Sequence, residues 1–290
     1  MASQLRKLLK AVDLEELSGC SDEIELLDFV ADSVGSAQYW QPPDDLDEVL
    51  ADDVVGQELR PVADALISAP ASRWWPSPVA LADQVFVDWR PPSAGPRHLT
   101  GAEAILQDWK QCTSEFFSQW WSPPIYAELA NTTRCLPNLG AVGLLLLEDD
   151  MSETSATCWS VRCPEQAQVY EINEARDWID LVKRHAFEVT GSHEHAWAMA
   201  TGLEIRWFLP DWTQVAEEFD AVHLSVSGYL EISGLPMLLD HDMATFLAGW
   251  APDETYWLTD IVEISGPGVG WESMKDHPSR DWRFALPSTN

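Results

Sequence analysis

Positive charge is what this chain has least of. Seventeen lysines and arginines stand against 48 aspartates and glutamates, a formal net charge of −31. Phosphate binding needs a basic surface, so this balance argues against a nucleic-acid or anionic-membrane partner. Long apolar runs are missing too: the longest, 141–147, is far too short to span a bilayer. The opening residues MASQLRKLLK lead into an acidic amphipathic segment, so no signal peptide is read there. The five cysteines, Cys20, Cys112, Cys135, Cys158 and Cys163, include no CxxC pair, which favours neither a disulfide framework nor a zinc knuckle. A cytoplasmic protein with reduced thiols is the expectation. GxSxG, HExxH and Walker patterns are absent, and GPGVG at 266–270 has no helical pattern behind it, so it reads as a turn. What remains is binding or cofactor-free chemistry, with no metal site expected.

Hydrophobic residues make up 46% and charged residues 22%, globular values that promise a real core in 290 residues. That length suits one continuous domain or two. The polar stretch 149–154 is the best boundary, dividing 1–150 from 151–290. The clearest unit is 211–232, DWTQVAEEFDAVHLSVSGYLEI. Its first half has helical periodicity, with Trp212, Val215, Ala216 and Phe219 on one face and Asp211 as cap. After Asp220 the period becomes two, which puts His223, Ser225 and Ser227 on one strand face and Val222, Leu224 and Val226 on the other.

Upstream, helices are expected at 3–18, at 22–34 with Ser21 as cap, at 46–55 and at 58–68. Residues 11–59 hold fifteen acids and no lysine or arginine. The acids alternate with periodic hydrophobics, so this segment should fold with its charges on a solvated face. Asp44, Asp45, Asp47, Glu48, Asp52 and Asp53 are the candidate contacts for a basic protein or peptide. Acidity that serves only solubility is the plainer reading.

Sixteen tryptophans are the other excess. The octets SRWWPSPV at 72–79 and SQWWSPPI at 118–125 lie 46 residues apart, and the same offset aligns helices 58–68 and 102–117 and strands 84–89 and 131–136. A duplicated helix–Trp-Trp–strand unit is the reading this suggests. The tryptophans then anchor helix ends and fill a core otherwise rich in small residues. Alternatively they wall a cleft for a small molecule, with Trp74, Trp75, Trp120, Trp121 and Arg134 as its contacts.

Further on, 141–147 reads as a strand buried on both faces. Other strands are expected at 158–161, 168–172, 203–208 and 255–264, with helices at 173–187, capped by Asn173, and at 192–202. Asp242 opens a short helix, and the tail from Ser265 is irregular, packed by Trp271, Trp282 and Phe284. Strands and helices mix without a βαβ rhythm. The fold class is therefore α+β, an acidic helical N-terminal region packed on a mixed, mainly antiparallel sheet.

The pattern Val222-His223-Leu224-Ser225-Val226 resembles the His-x-Ser/Thr motif of the 2H phosphoesterases. That resemblance implies two such motifs on paired strands, flanking a phosphodiester and sharing acid and base duties. His98-Leu99-Thr100 is the other copy, although Thr100 there reads as a helix cap. Arg134, Ser225 or Ser227, and Glu263 follow an order that resembles ADP-ribosyltransferase sites. His193 and His195, with His185, Asp240, His241 and Asp242, have the chemistry of metal ligands. Positions i and i+2 diverge on a helix, however, so ordinary surface histidines are expected. Two functions follow. The first is a binding or regulatory protein that takes a cationic or small-molecule partner on its acidic face or in a Trp-lined cleft. The second is a small hydrolase or transferase working from the His223/Ser225 strand face.

Overall fold

The computed structural model describes residues 2–90, 99–115, 119–124, 129–137, 139–149, 154–273 and 282–284. Helices come first: α1 (Ala2–Leu9), α2 (Leu14–Ser18), α3 (Glu23–Gly35), α4 (Asp45–Leu50) and α5 (Asp53–Ser68). The last four share one design. Asp13, Asp22, Asp44 and Asp52 occupy their N-caps, each accepting two backbone N–H bonds. An acid in that position satisfies orphan donors and meets the positive end of the helix dipole, typically worth about 1 kcal/mol. Part of the acidity thus shapes the helices. Asp13 divides the single helix expected over 3–18, and Asp22 takes the capping place read for Ser21. Leu26, Leu27, Val30, Ala31 and Val34 of α3 face the core.

The chain then weaves β1 (Gln84–Asp88), α6 (Ala102–Glu115), β2 (Asn131–Leu136), β3 (Gly140–Ala141), α7 (Val142–Leu145), β4 (Ser155–Arg162), β5 (Val169–Ile172), α8 (Ala175–Arg184), β6 (Ala186–Glu188) and α9 (Thr190–Thr201). It continues through β7 (Arg206–Pro210), α10 (Trp212–Val215), β8 (Ala221–Leu224), α11 (Val226–Ile232), β9 (Met237–Asp240), β10 (Met243–Thr245), β11 (Glu254–Trp257), β12 (Glu263–Ile264), β13 (Val269–Ser273) and β14 (Trp282–Phe284). The main sheet runs β14-β13-β4-β1-β2-β11-β8-β5, with β3 added to β2 and β12 to β4. Only its β5–β8 pair is parallel. A smaller sheet runs β6-β7-β10-β9. The architecture is α+β, mixed and mainly antiparallel, and the main sheet draws strands from both sides of residue 150. Among the described residues no helix is long and apolar enough to cross a membrane.

Tryptophan fills the core. Trp109, Trp178, Trp197, Trp207, Trp212 and Trp250 are fully buried, Trp197 and Trp207 against Phe246, with edge contacts such as Trp197–Trp207 at 5.3 Å and Trp178–Trp250 at 6.2 Å. Of the two Trp-Trp units, the strands β1 and β2 are antiparallel neighbours. Their helices find different company: α5 packs on α1 and α2, α6 on α9 and α10.

Several expectations are corrected. The long strand over 221–232 ends at Leu224, because Ser225 turns the chain into α11, its Oγ accepting the Gly228 N–H at 3.0 Å. Val226, Tyr229 and Ile232 recur every three residues, a helical spacing, and the packing is close: a Cβ on Gly228 would stand 2.3 Å from the Ile172 carbonyl oxygen. His223, Ser225 and Ser227 therefore share no strand face. The apolar run 141–147 is mostly α7, a length at which strand and helix look alike. Residues 237–245 form the β9–β10 pair in place of a helix opened by Asp242. The tail contributes β13 and β14 to the main sheet, and 255–264 divides into β11 and β12. Glu174, in a capping box with Asp177, takes the place read for Asn173.

Candidate functional site

Two clusters of carboxyls, each with one fully buried member, flank the start of β11. In the first, the parallel pairing of β5 and β8 sets Glu171 beside His223. Glu171 Oε2 stands 2.6 Å from His223 Nδ1, and Asp253 Oδ1 lies 3.4 Å from Nε2. Asp253 also accepts the Arg134 backbone N–H at 2.8 Å and pairs with Arg134 Nε at 3.3 Å. Arg134 in turn donates to the Pro78 carbonyl and lies 5.0 Å over the Trp74 ring. Two acids and two bases alternate, so the chain is neutral. Burial would lower the His223 pKa, but hydrogen bonds and charge from Asp253 and Glu171 outweigh it and push it up to about 9. His223 is an imidazolium, 1% exposed, with a carboxylate on each nitrogen.

The second cluster is different. Glu148 and Asp149 follow α7, and Trp120, Gly249, Ala251, Glu254 and Tyr256 complete a cleft of about 270 Å³ with them and Leu147. Gly249 makes the close approach possible. It has φ +70, and a Cβ there would stand 2.6 Å from Trp121 Cβ. Its N–H donates to Glu148 Oε1. Glu148 Oε2 has no hydrogen-bond partner, and the nearby Tyr229 hydroxyl lies outside well-formed hydrogen-bond geometry. Glu254 accepts from Asn131 Nδ2 at 2.5 Å and from the Ala251 N–H at 3.2 Å. Burial pushes Glu148 up to about 8, with the charges of Glu254 and Asp149 adding to it. Burial likewise raises Glu254 to about 7, against the pull of the Ala251 N–H and the Asn131 amide. Among the described residues no lysine, arginine or histidine lines the cleft.

The sequence candidates distribute unevenly over these places. Trp120 joins the cleft, and Trp121 packs on it at 6.0 Å and against Gly249. Trp74 and Arg134 belong to the neutral ion chain, and Trp75 is buried in the core. Ser225 Oγ is engaged with Gly228 N–H and the Ile172 carbonyl. Glu263 lies on β12, paired with Arg162 at 3.6 Å, and does not meet Arg134 or Ser225. His98 lies outside the described residues. The α6 N-terminus is capped not by Thr100 but by Asp260, which accepts the Gly101 and Ala102 N–H groups at 2.9 Å. On α9, His193 is buried and His195 exposed, so the two diverge. His193 bonds Ser192 Oγ at 2.8 Å and the Trp121 carbonyl at 3.2 Å, and burial lowers its pKa to about 4. Among the described residues no group of three His, Cys, Asp or Glu is placed to hold a metal.

Asp44, Asp45, Asp47, Glu48, Asp52 and Asp53 are all exposed. Asp44 and Asp47 form a capping box and Asp52 caps α5, while Asp45, Glu48 and Asp53 have no ion-pair partner among the described residues. Sequence reasoning missed Glu148 and Glu254. The available signal was an acid embedded in apolar sequence: Glu148 directly after AVGLLLL, Glu254 in front of Thr255-Tyr256-Trp257.

No family model, curated protein or solved structure matches the chain. Function must therefore be argued from the site itself.

Proposed function

We propose that the protein binds a small cationic ligand, an amine or alkylammonium group, in the cleft formed by Trp120, Glu148, Glu254 and Tyr256. One observation carries this reading: a buried carboxyl, Glu148, and a half-buried one, Glu254, line a cleft in which no cation among the described residues answers them. Carboxylates together with aromatic walls are the chemistry that recognises ammonium ions, through charge and through the ring quadrupole. A volume of about 270 Å³ suits a small amine and leaves no room for a large molecule. The net charge of −31 adds a field that raises the local concentration of cations.

The raised pKa values give the reading a signature. A cation favours the ionised carboxyls, so binding expels protons from Glu148 and Glu254, and affinity rises with pH through 7 and 8. Calorimetric titration with methylammonium, trimethylammonium and a short alkyl diamine, at pH 6 and pH 8.5, tests this. Binding tighter at pH 8.5, with proton release and loss in Glu148→Gln, is expected. Equal binding of uncharged isosteres, or none of the ammonium ions at millimolar concentration, would refute it. A hydrolase or transferase acting through His223 and Ser225 draws no support from the geometry. A base needs a free nitrogen, and both nitrogens of His223 face carboxylates.

A further inference from the structure

A groove of about 620 Å³ runs between α2, α3 and α5, far from the cleft in sequence and lined by other residues. Leu17, Val62 and Leu66 provide apolar lining, and Phe29, 62% exposed, stands at its side. Asp13, Glu16, Asp22 and Glu25 line it as well, and no lysine or arginine does. None of these four acids has an ion-pair partner among the described residues. Phe29 adds a large apolar surface at the groove's side, whose burial by an occupant would return roughly 1.5–3 kcal/mol. Apolar floor and acidic rim together define an occupant that is apolar on one side and basic on the other.

The chain itself displays that chemistry once. α1, ASQLRKLL, carries Arg6 and Lys7 among leucines, packs on α5, and pairs Arg6 with Glu58 at 3.1 Å. A basic amphipathic helix is thus already accepted on one flank of α5. The groove lined by Val62 and Leu66 of the same helix offers the same combination of apolar and acidic groups.

We infer that this groove docks a basic amphipathic helix of a partner protein, its leucine-type residues against Phe29, Val62 and Leu66 and its lysines or arginines over Glu16 and Glu25. Anchors at i, i+3, i+4 and i+7 enter the groove, and the flanking positive charges fix register and speed association.

The test uses the full chain and a fluorescein-labelled 18-residue helical peptide with leucines at that spacing and lysines elsewhere, followed by anisotropy. One control replaces the lysines by glutamate, another replaces the leucines by serine. The expected result is binding of the first peptide alone, weakening as salt rises. Phe29→Ser, at an exposed position, weakens it at least tenfold, while circular dichroism and ammonium binding in the cleft stay as in the wild type. Glu16→Gln with Glu25→Gln lowers affinity and flattens the salt dependence. Equal binding to Phe29→Ser, or equal binding of the serine peptide, would overturn the inference by reducing the attraction to net charge. Sedimentation showing a wild-type dimer that Phe29→Ser dissociates would overturn it differently, making a second copy the occupant.

Discussion

Asp253 and Glu254 are consecutive residues, yet they belong to opposite kinds of buried site. Asp253 sits between His223 and Arg134, and with Glu171 the four side chains cancel. Glu254 shares its cleft with Glu148, Asp149, an indole and a phenol, and no cation lines it among the described residues. Taking a charge out of water is costly, so a fold that buries acids either builds in their counterions or lets them keep their protons. The first cluster follows the former course and closes on itself. The second follows the latter and remains open to a ligand. That contrast separates compensated from uncompensated charge in a chain where acids outnumber bases by 48 to 17.

The two clusters also answer pH over different windows. A pKa raised on folding means that the native state holds a proton which the unfolded chain releases. The associated stability is complete below the unfolded pKa and lost as pH climbs through the folded value. For Glu148 that loss runs from 4.5 to about 8, for Glu254 from 4.5 to about 7, and for His223 from 6.5 to about 9.

Glu148→Gln should produce the largest effect and tests the open cluster. Removing the ionisable group leaves stability near that of the wild type at pH 4 and raises it at pH 9, by about 5 kcal/mol at about 1.4 kcal/mol per pKa unit. Urea unfolding at the two values decides, and a variant equally or less stable at pH 9 contradicts the uncompensated carboxyl. Glu254→Gln should act in the same direction by about 3 kcal/mol. The closed cluster breaks the other way. Asp253→Asn keeps a residue that tolerates φ 58 but leaves His223 and Arg134 with one carboxylate too few. Unfolding at pH 7 should show a loss of about 3–4 kcal/mol, and a loss under about 1 kcal/mol would mean that the ion chain is not a unit. Trp120→Ala sharpens the contrast from the ligand side: ammonium affinity falls about tenfold in calorimetry, with thermal stability little changed. Smallest is the triple change Asp45→Asn, Glu48→Gln and Asp53→Asn. These exposed acids should move stability by less than about 0.5 kcal/mol, and a larger change would show that surface charge too is structural.

Much of the fold was legible because it obeys local rules. A short acid before an apolar period marks a helix start, as Asp211 shows, whereas Asp52 opens α5 inside the stretch 46–55 expected to be one helix. Strands β1, β2 and β5 follow from β-branched and aromatic runs. Reading failed where a strand passes into a helix with no break in the apolar sequence, as between Leu224 and Val226, or where an apolar run is too short to declare itself, as before Leu146. The site was less legible for a different reason. His223 looked reactive in sequence because its two carboxylates lie 52 residues before it and 30 after it. Glu148 and Glu254 looked ordinary because their burial arises only when 120–121, 148–149 and 249–256 come together. Trp120 was picked out beside Trp74 and Trp75, and only packing distinguishes the cleft wall from the cation partner and the core residue.

The central claim is that the cleft carboxyls are held without a cation and take one from solution. Carbon-13 NMR titration of the glutamate carboxyls, without and with saturating trimethylammonium, measures this directly. Glu148 should titrate near 8 in the free protein and more than one unit lower with the ammonium ion bound. A Glu148 that titrates at an ordinary 4.5, or one unmoved by the ammonium ion, would contradict the account.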